Sequence, residues 1–272
     1  MRRIVSLLAF LLIPVGVAAQ QTALPASGAE ATARLAASPR HGEWVMIPSG
    51  SADSVRAWVV YPERSTAAPV VLVVHEIFGM SNWVRSVADQ LAADGFIAIA
   101  PDLLTGLHVA EGPEGTNPDS ARAVIGTLKA PDVQRRLDAA ARYGMALPAA
   151  LHRYGIVGFC WGGGISFSHA VHAAGLGAAV VYYGTSPDSV AMDSVRAPVL
   201  GFYGENDARV NATIPRARAA LSAKNRTYEP VILPGAGHGF LRQQDGQNGA
   251  NLAASRVAWP RTVAWFHTHL DR

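Results

Sequence analysis

The sequence predicts an α/β chain: a doubly wound, mostly parallel sheet with helices on both faces. Three observations predict it. Short continuous apolar runs, "PVVLVV", "FIAIA" and "YGIVGF", read as strands buried on both sides. Segments of helical spacing alternate with them along the chain. The 272 residues are 50% hydrophobic and only 16% charged, enough to fill one core and too apolar for disorder.

The elements follow in order. "MRR", the apolar run "IVSLLAFLLIPVGV" and "AAQQ" form a secretory signal peptide over 1–19, with cleavage expected after Ala19. The apolar run is short for a membrane span, so the mature protein is expected off the membrane, periplasmic or secreted. Losing Arg2 and Arg3 lowers the formal charge from +3 to +1. No basic patch is interleaved with aromatics, which argues against a nucleic-acid partner. Residues 20–40, small and polar without periodicity, read as a flexible leader to a domain over 41–272.

"GEWVMIP" and "SVRAWVVYP" alternate as two antiparallel strands. "PVVLVVHE" is a buried strand, "NWVRSVADQLAADG" a helix ending at Gly95, and "FIAIAPD" a second buried strand. Residues 103–118, rich in Gly and Pro, form a loop. "DSARAVIGTLK" and "DVQRRLDAAARYGMAL" are helical, "YGIVGF" is a strand and "GISFSHAVHAAG" a helix. "LGAAVVYYG", "APVLGFYGEND", "RTYEPVILPGAGH" and the closing "NLAASRVAWPRTVAWFHTHL" complete the alternation.

Between the strand "YGIVGF" and its following helix lies "GFCWGGG", holding the single cysteine, Cys160. One cysteine cannot form an internal disulfide. In an exported chain it reads as a reactive thiol, an intermolecular partner or a buried small hydrophobe. Gly158-Phe-Cys160-Trp-Gly162 has the form of a Gly-x-nucleophile-x-Gly elbow with cysteine in place of serine. The turn needs small residues two before and two after the nucleophile. It places the sulfur at a helix N-terminus, where the dipole favours a thiolate, and aims the N–H of Trp161 at a forming oxyanion.

Asp207 follows a later strand and His238 the next. Nucleophile, acid, histidine is the chain order of α/β hydrolases. A cap of the helix that "NDARV" opens is the alternative role for Asp207, and Glu205 is a rival acid. The pairs His169/His172 and His267/His269 lie on amphipathic helices without partner ligands, so no metal is expected.

"HEIFG" (75–79), "GFCWGGG", "YYG" (182–184), "GENDARV" and "GHGFLR" (237–242) together resemble the dienelactone hydrolase family over roughly residues 43–270. The resemblance implies a triad of Cys160, His238 and Asp207. It implies that Glu76 contacts the resting thiol and is displaced by substrate. It implies an oxyanion hole of the Ile77 and Trp161 N–H groups, a substrate carboxylate bound by Arg242 and Arg122, and a pocket lined by Tyr183. His75 departs from the glutamine often found before "EIFG". The implied reaction is cofactor-free hydrolysis of a small lactone or ester, of anionic character if both arginines serve it. A general short-chain carboxylesterase is the alternative within the class. A non-catalytic ligand-binding or redox-thiol domain is the alternative outside it.

Overall fold

The computed structural model describes residues 23–271. The expected signal peptide lies outside them. Strands β1 (Gly42–Pro48) and β2 (Ser54–Val60) pair antiparallel, as their alternation requires. Next come β3 (Ala68–Val74) and β4 (Ile97–Asp102), with a minor hairpin of β5 (Glu111–Gly112) and β6 (Gly115–Thr116) inside the expected loop. Then follow β7 (Ala150–Phe159), β8 (Ala178–Tyr182), β9 (Val199–Asn206) and β10 (Tyr228–Gly237). The eight main strands run in the order β1-β2-β4-β3-β7-β8-β9-β10. From β4 to β10 every pairing is parallel.

The parallel strands alternate between two cores. In β3, Val70, Leu72 and Val74 face one side and Val71 and Val73 the other, all inaccessible to solvent. Helices α4 (Ala130–Met145), α5 (Trp161–His172) and α7 (Ile214–Ser222) cover the first face through residues such as Leu137, Phe167 and Leu221. Helices α2 (Asn82–Ala93) and α8 (Ala250–Leu270) cover the second through Leu91 and Phe266. The short helices α1 (Ala31–Ala36), α3 (Pro118–Val124) and α6 (Ala208–Asn211) lie in connections. Double burial explains why these strands read as unbroken apolar runs.

One expectation is corrected. Over its described part, 23–40, the segment expected to be a flexible leader is docked. Ala26 and Ala31 are buried. The indole N–H of Trp83 donates to the Ala26 carbonyl at 3.1 Å, and the Gly28 N–H donates to the Arg242 carbonyl at 2.8 Å. Arg40 holds the buried Asp89 carboxylate through Nε at 3.0 Å and a terminal nitrogen at 2.6 Å. The partners lie tens to hundreds of residues away, so local periodicity carries no trace of them.

Candidate active site

The site is assembled where β3, β7, β9 and β10 end. Chain reversal between β7 and α5 falls on Cys160, which has φ 55° and ψ −117°. A non-glycine residue held there stores of order 1–3 kcal/mol of strain. The surrounding contacts enforce it. The Cys160 N–H donates to the Tyr182 carbonyl at 3.0 Å, and the Gly164 N–H to the Cys160 carbonyl at 3.2 Å. The turn is too tight for side chains at its shoulders. A Cβ on Gly158 would sit 1.9 Å from the Gly162 carbonyl oxygen, and one on Gly162 would sit 2.4 Å from the His75 carbonyl oxygen. Cys160 is left partly exposed at the start of α5.

His238 follows a register shift in β10. Its Nδ1 lies 2.6 Å from Asp207 Oδ2. Asp207 stands immediately before α6, yet its side chain makes no capping hydrogen bond there. The carboxylate is given to the imidazole instead, with 7% of the side chain exposed. Glu205, the rival acid, accepts from the Gly235 N–H at 2.8 Å and points into solvent. The Cys160 sulfur is the largest influence holding the His238 imidazolium, whose pKa is raised to about 9. Asp207 adds to the effect and burial opposes it.

Glu76 is buried, and its Oε2 accepts from Arg242 Nε at 2.6 Å. Burial pushes its pKa up, while Arg242 and then His238 pull it down. The carboxylate is thus ion-paired with Arg242. Tyr183 is fully buried at φ 39°, with its ring 5.1 Å from that of His238. Its hydroxyl has no hydrogen-bond partner. Burial, then the nearby Glu76, keep it protonated well above the ordinary tyrosine range.

Cys160, Ile77, Trp161 and Tyr183 line one cavity of about 490 Å³. Arg122 and Arg242 line a neighbouring one of about 410 Å³ with Phe78 and Trp83. Their guanidinium carbons stand 5.6 and 4.9 Å from the Phe78 ring centroid. The structure therefore brings together Cys160, His238, Asp207, Ile77, Trp161 and Tyr183, with Glu76 beside them. It places the two arginines next door, and Arg122 is exposed and paired with Asp119. Sequence reasoning missed Arg209, among the described residues the one formally charged side chain on the wall of the Cys160 cavity. Its signal was its place two residues after Asp207, in α6 just beyond β9. The histidine pairs are accounted for elsewhere: His169 is buried between Tyr154 and Gln134, and His267 meets Asp271 and the Asp94 carbonyl.

A mostly parallel eight-stranded sheet, an elbow after β7 and a histidine–aspartate pair beyond it define an α/β hydrolase. Within that class, residues 55–270 match the family model described as "Dienelactone hydrolase family". The chain belongs to the dienelactone hydrolase family, a family of hydrolases. It is 35% identical over 235 residues to a protein of Salmonella typhimurium named "Putative carboxymethylenebutenolidase", covering 81% of this chain and 84% of that one. An Escherichia coli protein of the same name is 34% identical over 236 residues, with the same coverage. The crystal structure titled "Putative Dienelactone Hydrolase" from Klebsiella pneumoniae superposes with a TM-score of 0.73 at 30% identity, covering 84% of this chain and 98% of that one.

Proposed function

We propose that this hydrolase cleaves a lactone or ester by a Cys160–His238–Asp207 triad through a thioester intermediate. The observation that carries the reading is the strained elbow. It presents Cys160 to a cavity beside an imidazole whose other nitrogen is held 2.6 Å from Asp207. The Cys160 thiolate attacks the carbonyl carbon, forming a C–S bond, and the carbonyl π pair moves onto oxygen. The Ile77 and Trp161 N–H groups receive that oxyanion. As the tetrahedral species collapses, the C–O bond breaks and the leaving oxygen takes a proton from His238. A water then gives its proton to His238 and attacks the thioester, and the Cys160 thiolate leaves. Asp207 keeps the imidazole in one tautomer and orientation and stabilises its charged form. A histidine held as the cation to about 9 suits the proton-donating step.

For the substrate, an anionic lactone is the first reading. A substrate carboxylate that reached Arg242 would compete with Glu76 for the guanidinium. The freed Glu76 carboxylate would then bear on the thiol chemistry next to it. A neutral short-chain ester is the second reading. It is favoured by the placement of Arg122 and Arg242 in the neighbouring cavity, which leaves Arg209, among the described residues, as the sole formal charge on the Cys160 cavity wall. Steady-state kinetics on a carboxylated enol lactone and a neutral aryl ester separate the two. On the first reading the lactone is preferred, and Arg242→Ala lowers its kcat/KM about tenfold or more while sparing the ester. Turnover of the ester alone, indifferent to Arg242, would reject the anionic substrate. Hydrolysis of neither would reject the proposal.

Export to the periplasm or medium is proposed from residues 1–19, whose basic start, apolar core and small-residue end have the form of a signal peptide. Among the described residues, no helix is long and apolar enough to cross a membrane. N-terminal sequencing of the exported protein should begin at Gln20, and an intact Met1 would overturn the cleavage.

A further inference from the structure

The side chain of His75 is fully buried, takes no part in the triad and meets the Glu76 carbonyl and the Trp161 indole, each next to a proposed oxyanion donor. Its Nδ1 lies 2.7 Å from the Glu76 carbonyl oxygen. A carbonyl can only accept, so Nδ1 carries the proton. In the neutral ring Nε2 is then an acceptor, and it receives the Leu103 N–H at 3.3 Å. Burial, the dominant influence, pushes the ring pKa down and keeps this neutral tautomer. The imidazole lies nearly parallel to the Trp161 indole, with 5.5 Å between centroids and 20° between planes.

The Glu76 carbonyl and the Ile77 N–H belong to one peptide unit. In a planar trans peptide those two groups point in opposite directions. Two donors hold the carbonyl, His75 Nδ1 at 2.7 Å and the Gly79 N–H at 3.2 Å; fixing it fixes the heading of the N–H and draws electron density from it. Ile77 lines the Cys160 cavity, and among the described residues no backbone carbonyl takes its N–H or that of Trp161. The elbow interlocks from the other side, because Gly162 packs against the His75 carbonyl.

We propose that His75 is a positioning residue for acyl transfer: anchored on the Leu103 N–H and stacked on Trp161, it orients the Glu76–Ile77 peptide so that the Ile77 N–H meets the oxyanion. The inference rests on Cys160 being the nucleophile. It also explains why a buried imidazole, costly to place unless both nitrogens are satisfied, stands against two backbone groups rather than against the triad.

Two reactions of the same thiol test it. Ester hydrolysis passes through an oxyanion. Alkylation of Cys160 by iodoacetamide does not, since a C–S bond forms as iodide leaves. His75→Leu should lower kcat for a neutral aryl ester by about tenfold to a hundredfold, below the full loss of an oxyanion donor. KM and the alkylation rate should stay within about twofold. His75→Gln, whose amide supplies one donor and one acceptor, should recover most of kcat. His75→Met replaces His75→Leu if the branched side chain prevents folding, which circular dichroism reports. An unchanged kcat overturns the proposal. So does a fall in alkylation that matches the fall in kcat, or a His75→Gln variant as slow as His75→Leu. Hydrolysis that survives Cys160→Ala overturns the nucleophile itself, and this inference with it. Hydrolysis lost in Cys160→Ala but intact in His75→Leu overturns the positioning role alone.

Discussion

Cys160→Ala should reduce ester or lactone hydrolysis by about a thousandfold or more while leaving the fold intact. The residue sits midway between Gly158 and Gly162, neither of which can accept a side chain. Alanine fits the same backbone, so the loss is chemical rather than structural. What remains is the rate that oxyanion donors and substrate binding supply without a nucleophile. A fall of only severalfold would show that water attacks directly and that the thiol is a bystander.

The same variant makes a second reading available. The Cys160 sulfur is the largest cause of the raised His238 pKa, so in Cys160→Ala the imidazole should titrate well below about 9 by NMR. The sign for stability follows. A folded pKa raised above the ordinary 6.5 stabilises the fold fully below 6.5, and that contribution is lost as pH rises through about 9. Wild type should therefore lose stability between those values, and the variant should lose less there. A His238 titration unmoved by the substitution would separate the thiol from the imidazole and undo the triad.

Gly158→Ala should be the most damaging single methyl in the site. The added carbon would lie 1.9 Å from the Gly162 carbonyl oxygen. That atom is main chain in the first turn of α5, so no side-chain rotation relieves the clash. Either β7 or α5 must move. Overpacking of this kind costs roughly 3 kcal/mol, readable as a lower midpoint in urea. The thiol rides on the turn that shifts, and a displacement of about 1 Å can cost about a hundredfold in rate. Gly175→Ala is the control: it is exposed, and an added Cβ meets nothing within 4 Å. It should stay within about 0.5 kcal/mol of wild type. Equal stability of the two variants would mean that the elbow is not sterically closed.

Much of the fold was legible because its signals are local. A stretch of strand buried on both faces must be apolar throughout, and β3, the start of β4 and the second half of β7 announce themselves that way. The elbow was legible for a related reason. Its geometry excludes side chains at fixed offsets, so the glycines around Cys160 record a backbone shape. The minor β5–β6 hairpin was not legible, since two-residue strands carry no period.

By itself, the sequence determined the architecture, the elbow and the order of Cys160, Asp207 and His238, each a consequence of burial or sterics acting over a few residues. Only the tertiary structure decided which groups meet. It chose Asp207 over Glu205, because Glu205 is taken by the Gly235 N–H and Asp207 faces the imidazole. It gave Glu76 to Arg242 and set both arginines against Phe78 in the neighbouring cavity. It docked residues 23–40 onto the body, where the Gly28 N–H meets the carbonyl of Arg242, far along the chain. The physical reason is common to all three. A polar side chain or peptide group commits to whichever charged or hydrogen-bonding partner packing brings within about 3 Å, and nothing in its own neighbourhood along the chain records that choice.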